Sequence, residues 1–194
     1  DVAILQERTP FVDDSSPTTM LEHCLRAFRK SFGRFSPRGL PLIGSCDWND
    51  GLSALGIKGK GESTWLAFFL ANLLAEFATL LEKIGDRATA TDFRARREAL
   101  IKSVNEHAWD GQWFKRATRD DGTWIGTSSD VEGRIYLNAQ TWAILANATD
   151  ESRAEKAWAS TRQHLLAPMG PLLLAPAYTE PDTSIGYITR YAPG

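Results

Sequence analysis

The chain has 194 residues, the size of one ordinary domain, with 43% hydrophobic and 24% charged residues. This composition supports a packed core and excludes an intrinsically disordered chain. A formal net charge of −2 excludes the strongly basic surface that a nucleic-acid partner would need. Cys24, Cys46 and the three scattered histidines show no metal-ligand spacing, so no metal is expected. Two buried thiols are the simplest interpretation of the cysteines, with one disulfide as the alternative.

The first predicted elements in chain order are an irregular segment and a helix. Residues 1–17 contain Pro10 and Pro17 and are predicted to be irregular. Residues 18–32 are predicted to form a helix that ends at Gly33. The reason is an apolar face with spacings of three and four: Leu21, Cys24, Leu25, Phe28 and Phe32.

Residues 34–62 are predicted to form a long loop. Connections beyond about 12–15 residues in a compact domain are usually functional or disordered. Apolar residues such as Leu40, Ile43 and Leu52 run through this segment. They favour an ordered, functional loop over disorder.

A long buried helix and an amphipathic helix follow. Ser63 or Thr64 is predicted to cap the first helix, which continues to about Ile84 and is apolar on nearly all sides of its first half. Its longest apolar run, residues 65–75, is expected to be too short to span a bilayer. The second helix, residues 86–107, has one apolar stripe among many charged residues, which indicates an outer position with one solvated face.

Residues 109–126 are predicted to contain short β-structure. Asp110-Gly111 and Asp121-Gly122 are both typical hairpin turn signals. The sequence therefore predicts a small β-hairpin insertion between helices.

The helical pattern alternates along the chain. Helices are predicted again at 137–147 and 151–165, the second capped by Asp150, and the tail from Ala167 has no helical period. A mostly buried helix is thus followed twice by an amphipathic one, and long loops precede the buried helices. We therefore predict an all-α fold, a barrel of inner and outer helices whose site is built from loops at one end.

The sequence Asp47-Trp48-Asn49-Asp50 is the strongest candidate for a site. A carboxyl group beside a sugar can protonate a glycosidic oxygen if an apolar neighbour raises its pKa, and Trp48 offers such a surface. The indole ring can also pack on the C–H face of a sugar. The alternative is an Asx turn in which both aspartates bind backbone amides.

Four polar residues outside this motif have two interpretations each. Lys58 and Lys60 lie in a glycine-rich stretch and hint at a phosphate site, and the alternative is a flexible loop with solvated lysines. Glu62 is interpreted as a capping acid of the next helix rather than as a second catalytic carboxylate. Gln140 could reach a sugar hydroxyl, or it could be a buried amide bonded to a loop carbonyl.

Five blocks of the sequence resemble successive blocks of glycoside hydrolase family 94. They occur in the family's order over about residues 18–194: GLPLIGSCDWNDGL, GKGESTWLAFFL, WDGQWF, EGRIYLNAQTWAIL and GYITRYAPG. The family contains cellobiose, chitobiose and β-1,2-oligoglucan phosphorylases and the phosphorylase-like domain of cyclic β-1,2-glucan synthases. The link between DWND and GKGES resembles the β-1,2-glucan members, whereas EGRIYLNAQTWA resembles the disaccharide phosphorylases.

The resemblance implies an (α/α)6 barrel and inverting phosphorolysis of a β-glucoside. In the family's DWND block the second aspartate is the general acid and the tryptophan lines the sugar site, which implies these roles for Asp50 and Trp48. Asp47, Asn49 and Gln140 are expected as further substrate contacts. Inorganic phosphate is then a co-substrate, and no cofactor is expected.

Elementary chemistry separates phosphorolysis from hydrolysis. An inverting hydrolase needs a second carboxylate, about 6.5–9.5 Å from the acid, to activate water. Phosphate arrives as an anion and needs cationic and hydroxyl donors instead. The sequence offers no second acid that is as strong a candidate for a catalytic carboxylate as Asp50, so a phosphorylase is expected. The alternatives are an inverting hydrolase on the same barrel and a silent carbohydrate-binding or regulatory domain of a β-glucan synthase.

The ends of the sequence suggest a piece of a longer protein. The chain begins at Asp1 without a methionine, and residues 1–194 are expected to be an inactive fragment of one catalytic barrel, incomplete at both ends. The family's histidine block, which helps to hold phosphate, is expected beyond Gly194. The expected partners are a β-glucan oligosaccharide, phosphate and the rest of the same polypeptide, and a homodimer is left open. The expected location is cytoplasmic, or tethered to the inner membrane through another part of a larger synthase.

Overall fold

The computed structural model describes residues 1–12 and 14–190, and this part of the chain is mostly helical. Asp13 and residues 191–194, which end the GYITRYAPG block, lie outside the described residues. The helices of the described part are α1 (Met20–Phe32), α2 (Thr64–Lys83), α3 (Arg87–His107), α4 (Leu137–Leu145) and α5 (Glu151–Leu165). The predicted all-α character is confirmed as a mostly helical fold with a few short strands.

The prediction of an irregular N-terminus is wrong. A 3₁₀ turn at Val2–Gln6 leads into an antiparallel pair of strands, β1 (Arg8–Phe11) and β2 (Asp14–Thr19). Pro10 and Pro17 lack a backbone N–H, which argues against a central strand. A two-stranded ribbon consists only of edge strands, so it accommodates both prolines.

Capping side chains set the starts of four helices. Thr19, Ser63, Asp86 and Asp150 each accept a hydrogen bond from the backbone N–H three residues further on, at 2.9–3.2 Å. Ser63, and not Thr64, is therefore the cap of α2, and α1 begins two residues later than predicted. Helix α4 ends two residues earlier than predicted, because Asn147 adopts a left-handed conformation with φ of 45°.

Helices α2 and α4 lie at the centre of the main core. Helix α2 packs along α3 and also contacts α4, and α4 packs against α5. Helix α2 is buried on most faces, whereas α3 and α5 each bury fewer positions, as the alternation predicted. Helix α1 lies at the edge, where Leu21, Leu25 and Phe28 are partly buried against this core. Two helix pairs, each with a buried and an amphipathic member, thus stand side by side.

Helix α2 bears on the expectation about membranes. Its 20 residues are long and apolar enough, by length and composition alone, to cross a bilayer. The uninterrupted apolar run at 65–75, on which the expectation was based, is shorter than the helix, and the expectation stays a prediction. Half of its most apolar 18-residue window is buried inside the protein, as in the core helices of folded domains.

The predicted hairpin turns are confirmed. Strand β3 (Ala117–Thr118) pairs antiparallel with β4 (Trp124–Ile125), and Gly122 in the turn has φ of 87°. Gly111, with φ of 93°, lies in the turn between Trp109 and Phe114, which form a single antiparallel bridge. Both glycines occupy the left-handed region that the turn signals require.

The tail from Leu166 returns to the start of α4. Strand β5 (Ile135–Tyr136) pairs with β8 (Leu174–Ala175), and β6 (Leu166–Ala167) pairs with β7 (Gly170–Pro171). The described chain ends in a 3₁₀ turn at Tyr187–Arg190. The tail has no α-helix, as predicted.

A second hydrophobic cluster supports the long loop at 34–62. The loop contributes Ile43, Leu52 and Leu55 to it, all essentially buried. The rest of the cluster comes from the β3–β4 hairpin, from β5 and from the tail: Ala117, Ile125, Tyr136, Tyr178, Ile185 and Ile188. The loop is therefore ordered, as its apolar residues predicted, and it is held from several directions.

Candidate active site

The buried side chain of Asp47 anchors the long loop. Arg116, directly before β3, donates from Nη2 to Oδ1 and from Nη1 to Oδ2 of Asp47, both at 2.7 Å. Ser63 donates from Oγ to Oδ2 at 2.6 Å, and the backbone N–H of Asn49 donates to Oδ1 at 2.9 Å. Neither side chain of the Arg116–Asp47 pair is exposed. Four donors therefore occupy the two oxygens inside the protein.

Arg116 also decides the charge of Asp47. Burial would raise the pKa of this carboxyl, but the neighbouring guanidinium and its hydrogen bonds outweigh burial and hold the pKa below its ordinary value. Asp47 is therefore ionised at neutral pH. The Asx turn at Asp47 is the geometry that occurs, and the oxygens that its predicted substrate contact would need are already bonded.

Side chains of the turn alternate between the interior and solvent. Asp47 and Asn49 are directed inward, whereas Trp48 is 60% exposed and Asp50 is exposed. Asn49 accepts a hydrogen bond from the backbone N–H of Gly51 at 3.0 Å, and its Nδ2 is buried without a partner among the described residues. The turn thus presents an indole ring and a carboxyl group to solvent, and the apolar enclosure expected for the acid is not formed by Trp48.

Gly51 fixes the far side of the turn. The backbone N–H of Ile188 donates to the Gly51 carbonyl at 2.8 Å, and a Cβ atom at Gly51 would lie 2.8 Å from the Cβ of Ile188. A larger residue here would separate the loop from the tail. Asp50 is consequently held between two residues, Asn49 and Gly51, that are both fixed by hydrogen bonds.

A row of aromatic rings connects the turn with the core. The rings of Trp48 and Trp65 lie 6.4 Å apart, and Trp65 stacks on Phe69 at 5.0 Å with an interplanar angle of 9°. Trp65 also meets the edge of Trp142 at 6.0 Å. Only 7% of Trp65 is exposed, so it is a core residue, whereas Trp48 is the outermost ring of the row.

The glycine-rich stretch after the turn binds a carboxylate of its own chain. The backbone N–H groups of Lys58, Lys60 and Gly61 donate to the oxygens of Asp120 at 2.8–3.0 Å. Partial burial would raise the pKa of Asp120, and these three donors lower it below its ordinary value. The backbone of this stretch therefore does bind an anion, and that anion is the carboxylate of Asp120. The lysine side chains are exposed, so their predicted phosphate contact depends on those side chains alone.

Glu62 does not cap α2, which corrects its interpretation. Its side chain is 3% exposed and forms an ion pair with Arg38, which donates from Nε to Oε1 at 3.1 Å and also from Nη2 to Oε2. Thr118 donates to the same carboxylate at 3.4 Å. The cap is supplied by Ser63, so Glu62 links the loop to Arg38 and to β3 instead.

Gln140 is a buried amide bonded to backbone groups. Its Oε1 accepts from the N–H of Phe114 at 2.8 Å, and its Nε2 donates to the carbonyls of Phe114 at 2.8 Å and Tyr136 at 3.1 Å. The side chain is not exposed. The second of its two sequence-based interpretations describes this geometry, and its predicted sugar contact remains a prediction.

Cys46 lies directly beside the exposed carboxyl group. Its Sγ is 3.6 Å from Oδ1 of Asp50. Burial first, and then the contact with Asp50, raise the pKa of this thiol. Cys24 and Cys46 are both free and partly buried, so the disulfide alternative does not occur.

Sequence reasoning missed Arg116 and Asp120. Both belong to the β-hairpin insertion. Each binds the long loop through hydrogen bonds, although it lies about 60–70 positions further along the chain than its partner in the loop. A signal existed in the strand pattern: Arg116 directly precedes a two-residue strand whose members are both buried. A charged residue entering a buried strand needs a counter-charge, and Asp47 supplies it.

The described residues form a mostly helical scaffold that presents an indole ring and a carboxyl group on a fixed turn, and such a pair can pack on a sugar ring and protonate a glycosidic oxygen. The comparison with known proteins makes this specific. The catalytic-domain model of the glycosyl hydrolase 94 superfamily matches residues 1–194, and the chain belongs to this family. The resemblance inferred from the sequence blocks is confirmed.

Several characterised relatives are phosphorylases. The chain is 39% identical to solabiose phosphorylase of Paenibacillus borealis and 34% identical to cellobionic acid phosphorylase of Neurospora crassa, in each case over its whole length and 24–25% of the relative. It is also 34% identical to the cyclic beta-(1,2)-glucan synthase NdvB of Rhizobium meliloti, over 89% of the chain and 6% of that protein. The chain thus spans about a quarter of the phosphorylases that it matches.

A solved structure supports the fold alone. The GH78 family rhamnosidase of Bacillus sp. GL1 superimposes with a TM-score of 0.54 at 18% identity, over 69% of this chain and 13% of the rhamnosidase. The fold of about two thirds of this chain therefore also occurs within a much longer protein.

Proposed function

We propose that this chain is the acid-bearing part of an inverting glycoside phosphorylase that acts on β-linked gluco-oligosaccharides. The observation that carries the proposal is the turn at Asp47–Asp50, in which the first aspartate is used internally while Trp48 and Asp50 face outward. The phosphorylase relatives support the reaction class. Trp48, the exposed ring of the turn, packs against the sugar ring.

The reaction begins with Asp50 as general acid. Its carboxyl proton passes to the glycosidic oxygen as the bond between that oxygen and the anomeric carbon breaks. A phosphate oxygen attacks the same carbon from the opposite face and forms the new bond. A β-glucoside is thereby converted into an α-sugar 1-phosphate and a shortened acceptor, and Asp50 is left ionised until it regains a proton.

The other acids of the long loop support phosphate rather than water as the nucleophile. An inverting hydrolase would need one of them as a free base. Asp47 is paired with Arg116 and Glu62 with Arg38, and both carboxylates are buried. Neither is available to activate water, whereas phosphate needs no such base.

We further propose that the helix pairs α2–α3 and α4–α5 are two consecutive hairpins of an (α/α)6 barrel. In each pair the more buried helix is inner and the amphipathic helix is outer. The remaining hairpins and the cationic groups for phosphate come from other parts of a polypeptide of the relatives' length. The 194-residue chain alone is accordingly expected to be inactive.

The natural protein should be tested for phosphate-dependent cleavage of a disaccharide panel. Cellobiose, sophorose and laminaribiose are incubated with and without inorganic phosphate, and the products are followed by ³¹P and ¹H NMR. We expect α-sugar 1-phosphate only when phosphate is present. Release of reducing sugar at the same rate without phosphate would identify a hydrolase, and binding of the panel without turnover would identify a silent binding domain.

A further inference from the structure

The contacts of Asp47 converge on the backbone that carries Asp50. Of the four donors on the Asp47 carboxylate, two come from Arg116, one from the α2 cap Ser63 and one from the N–H of Asn49. The last contact closes the turn directly before Asp50. A change in the direction of the Asp47 side chain is therefore transmitted to the acid through a single residue.

The hydrogen bonds beyond Asn49 continue this link. Its Oδ1 accepts from the N–H of Gly51 at 3.0 Å, and its carbonyl accepts from the N–H of Leu52 at 3.0 Å. Leu52 is fully buried in the second hydrophobic cluster. The backbone on both sides of Asp50 is thus fixed, and the network begins at the Arg116–Asp47 pair, whose side chains are both fully buried.

The Arg116–Asp47 pair is poorly arranged as a stabilising device. The Nε of Arg116 is buried without a hydrogen-bond partner among the described residues. A buried ion pair contributes net stability only when its remaining donors are also satisfied, and apolar residues of similar volume often do as well. The unsatisfied Nε favours a role in which the pair specifies one conformation of the loop.

We propose that Arg116 is a positioning residue for general acid catalysis, acting through Asp47 on the orientation of Asp50. This inference rests on the proposed function of Asp50. The two parallel bonds of the guanidinium fix both the place and the plane of the Asp47 carboxylate, which the single ammonium group of a lysine cannot do. Loss of this orientation displaces Asp50 from the glycosidic oxygen while leaving the sugar contact of Trp48 in place.

The test is Arg116→Lys in the natural protein, assayed on two substrates. One is the best disaccharide of the panel above, and the other is 2,4-dinitrophenyl β-glucoside, whose leaving group departs without protonation. We expect kcat on the disaccharide to fall by about 10- to 100-fold, a part of the roughly 10²- to 10⁴-fold that general acid catalysis contributes, because Asp50 is displaced and not removed. KM should change by less than about threefold. The loss on the dinitrophenyl glucoside should be below about threefold.

Arg38→Lys is the matched control, because Arg38 also pairs with a buried carboxylate of the same loop. It should leave the ratio of the two activities at the wild-type value. If Arg116→Lys does not fold, Asp47→Asn gives the second measurement, since it keeps a neutral oxygen for Arg116. An equal loss on both substrates, in whichever of these variants folds, would overturn the positioning role.

Asp50→Asn in the same series separates this inference from the proposed function. If Asp50→Asn retains wild-type kcat on the disaccharide, the proposed function itself fails. If Asp50→Asn is inactive on the disaccharide while Arg116→Lys is unchanged, only the positioning role of Arg116 fails.

Discussion

Two turns of the same loop use a carboxylate in opposite ways. At Asp47 the loop supplies the carboxylate, and Arg116 of the hairpin insertion binds it in the interior. At Lys58–Gly61 the hairpin supplies the carboxylate of Asp120, and backbone N–H groups of the loop bind it near the surface. Both contacts join the loop to the β3–β4 hairpin, but only the first is fully removed from water.

The difference shows that composition alone does not locate a ligand site. The lysine- and glycine-rich turn has the residues of an anion site, and its anion is part of the protein. The turn at Asp47 has two acids. Asp47 binds Arg116 in the interior and fixes the turn, and Asp50 faces solvent. Burial of the supporting ion pair, together with exposure of Trp48 and Asp50, distinguishes the candidate active site.

A large loss of stability should come from removing Arg116 from its buried ion pair with Asp47. Arg116→Met leaves the Asp47 carboxylate buried without its counter-charge, and removal of one partner of such a pair costs about 3–5 kcal/mol. Asp120→Asn, the corresponding change at the second turn, should cost about 1 kcal/mol or less because that contact is near the surface. Urea denaturation of the natural protein measures both. Equal losses would show that the two turns do not differ in the way described.

Substitution of Trp65 should lower the stability of the protein, whereas substitution of Trp48 should weaken sugar binding. Trp65→Ala removes a core ring and should cost about 3–5 kcal/mol in the free energy of unfolding. Trp48→Ala removes an exposed ring, so it should cost less than about 1 kcal/mol. It should instead raise KM for the sugar by about 5- to 30-fold, equivalent to roughly 1–2 kcal/mol of lost apolar contact. A large melting shift for Trp48→Ala with unchanged KM would make it a core residue.

The lowered pKa of Asp47 predicts a specific loss of stability in acid. An unfolded aspartate titrates near pH 4, and folded Asp47 titrates lower, so the unfolded state binds more protons between these values. The stabilisation is complete above about pH 4 and is lost as pH falls through the folded pKa. The difference in free energy of unfolding between wild type and Asp47→Asn should therefore be constant from pH 7 to pH 5 and shrink below about pH 4. A difference that is independent of pH would contradict the assigned charge.

The smallest effect is expected at the exposed lysines. Lys58→Ala combined with Lys60→Ala should raise KM for phosphate by only about two- to threefold, because solvated charges are screened by salt. The effect should disappear at about 0.5 M NaCl. A rise above tenfold that persists in salt would place phosphate directly on these side chains.

The helices were predictable from the sequence, whereas the support of the site was not. Caps such as Ser63 and Asp150 act within three residues, and apolar periodicity is local, so both leave a signal in a short window. The pairing of Asp47 with Arg116 depends on a contact across 69 positions that only the folded chain brings together. Glu62 was misinterpreted for the same reason, because its partner Arg38 lies 24 residues away and Ser63 was the better cap.

Asp50→Asn in the natural protein tests the central claim most directly. The amide has nearly the same shape as the carboxyl group but cannot donate the proton that the departing sugar requires. We predict that kcat for phosphorolysis of the best disaccharide falls by about 10²- to 10⁴-fold, while KM and the melting temperature stay close to wild type. A variant that retains near wild-type kcat on that disaccharide would contradict the assignment of Asp50 as the general acid.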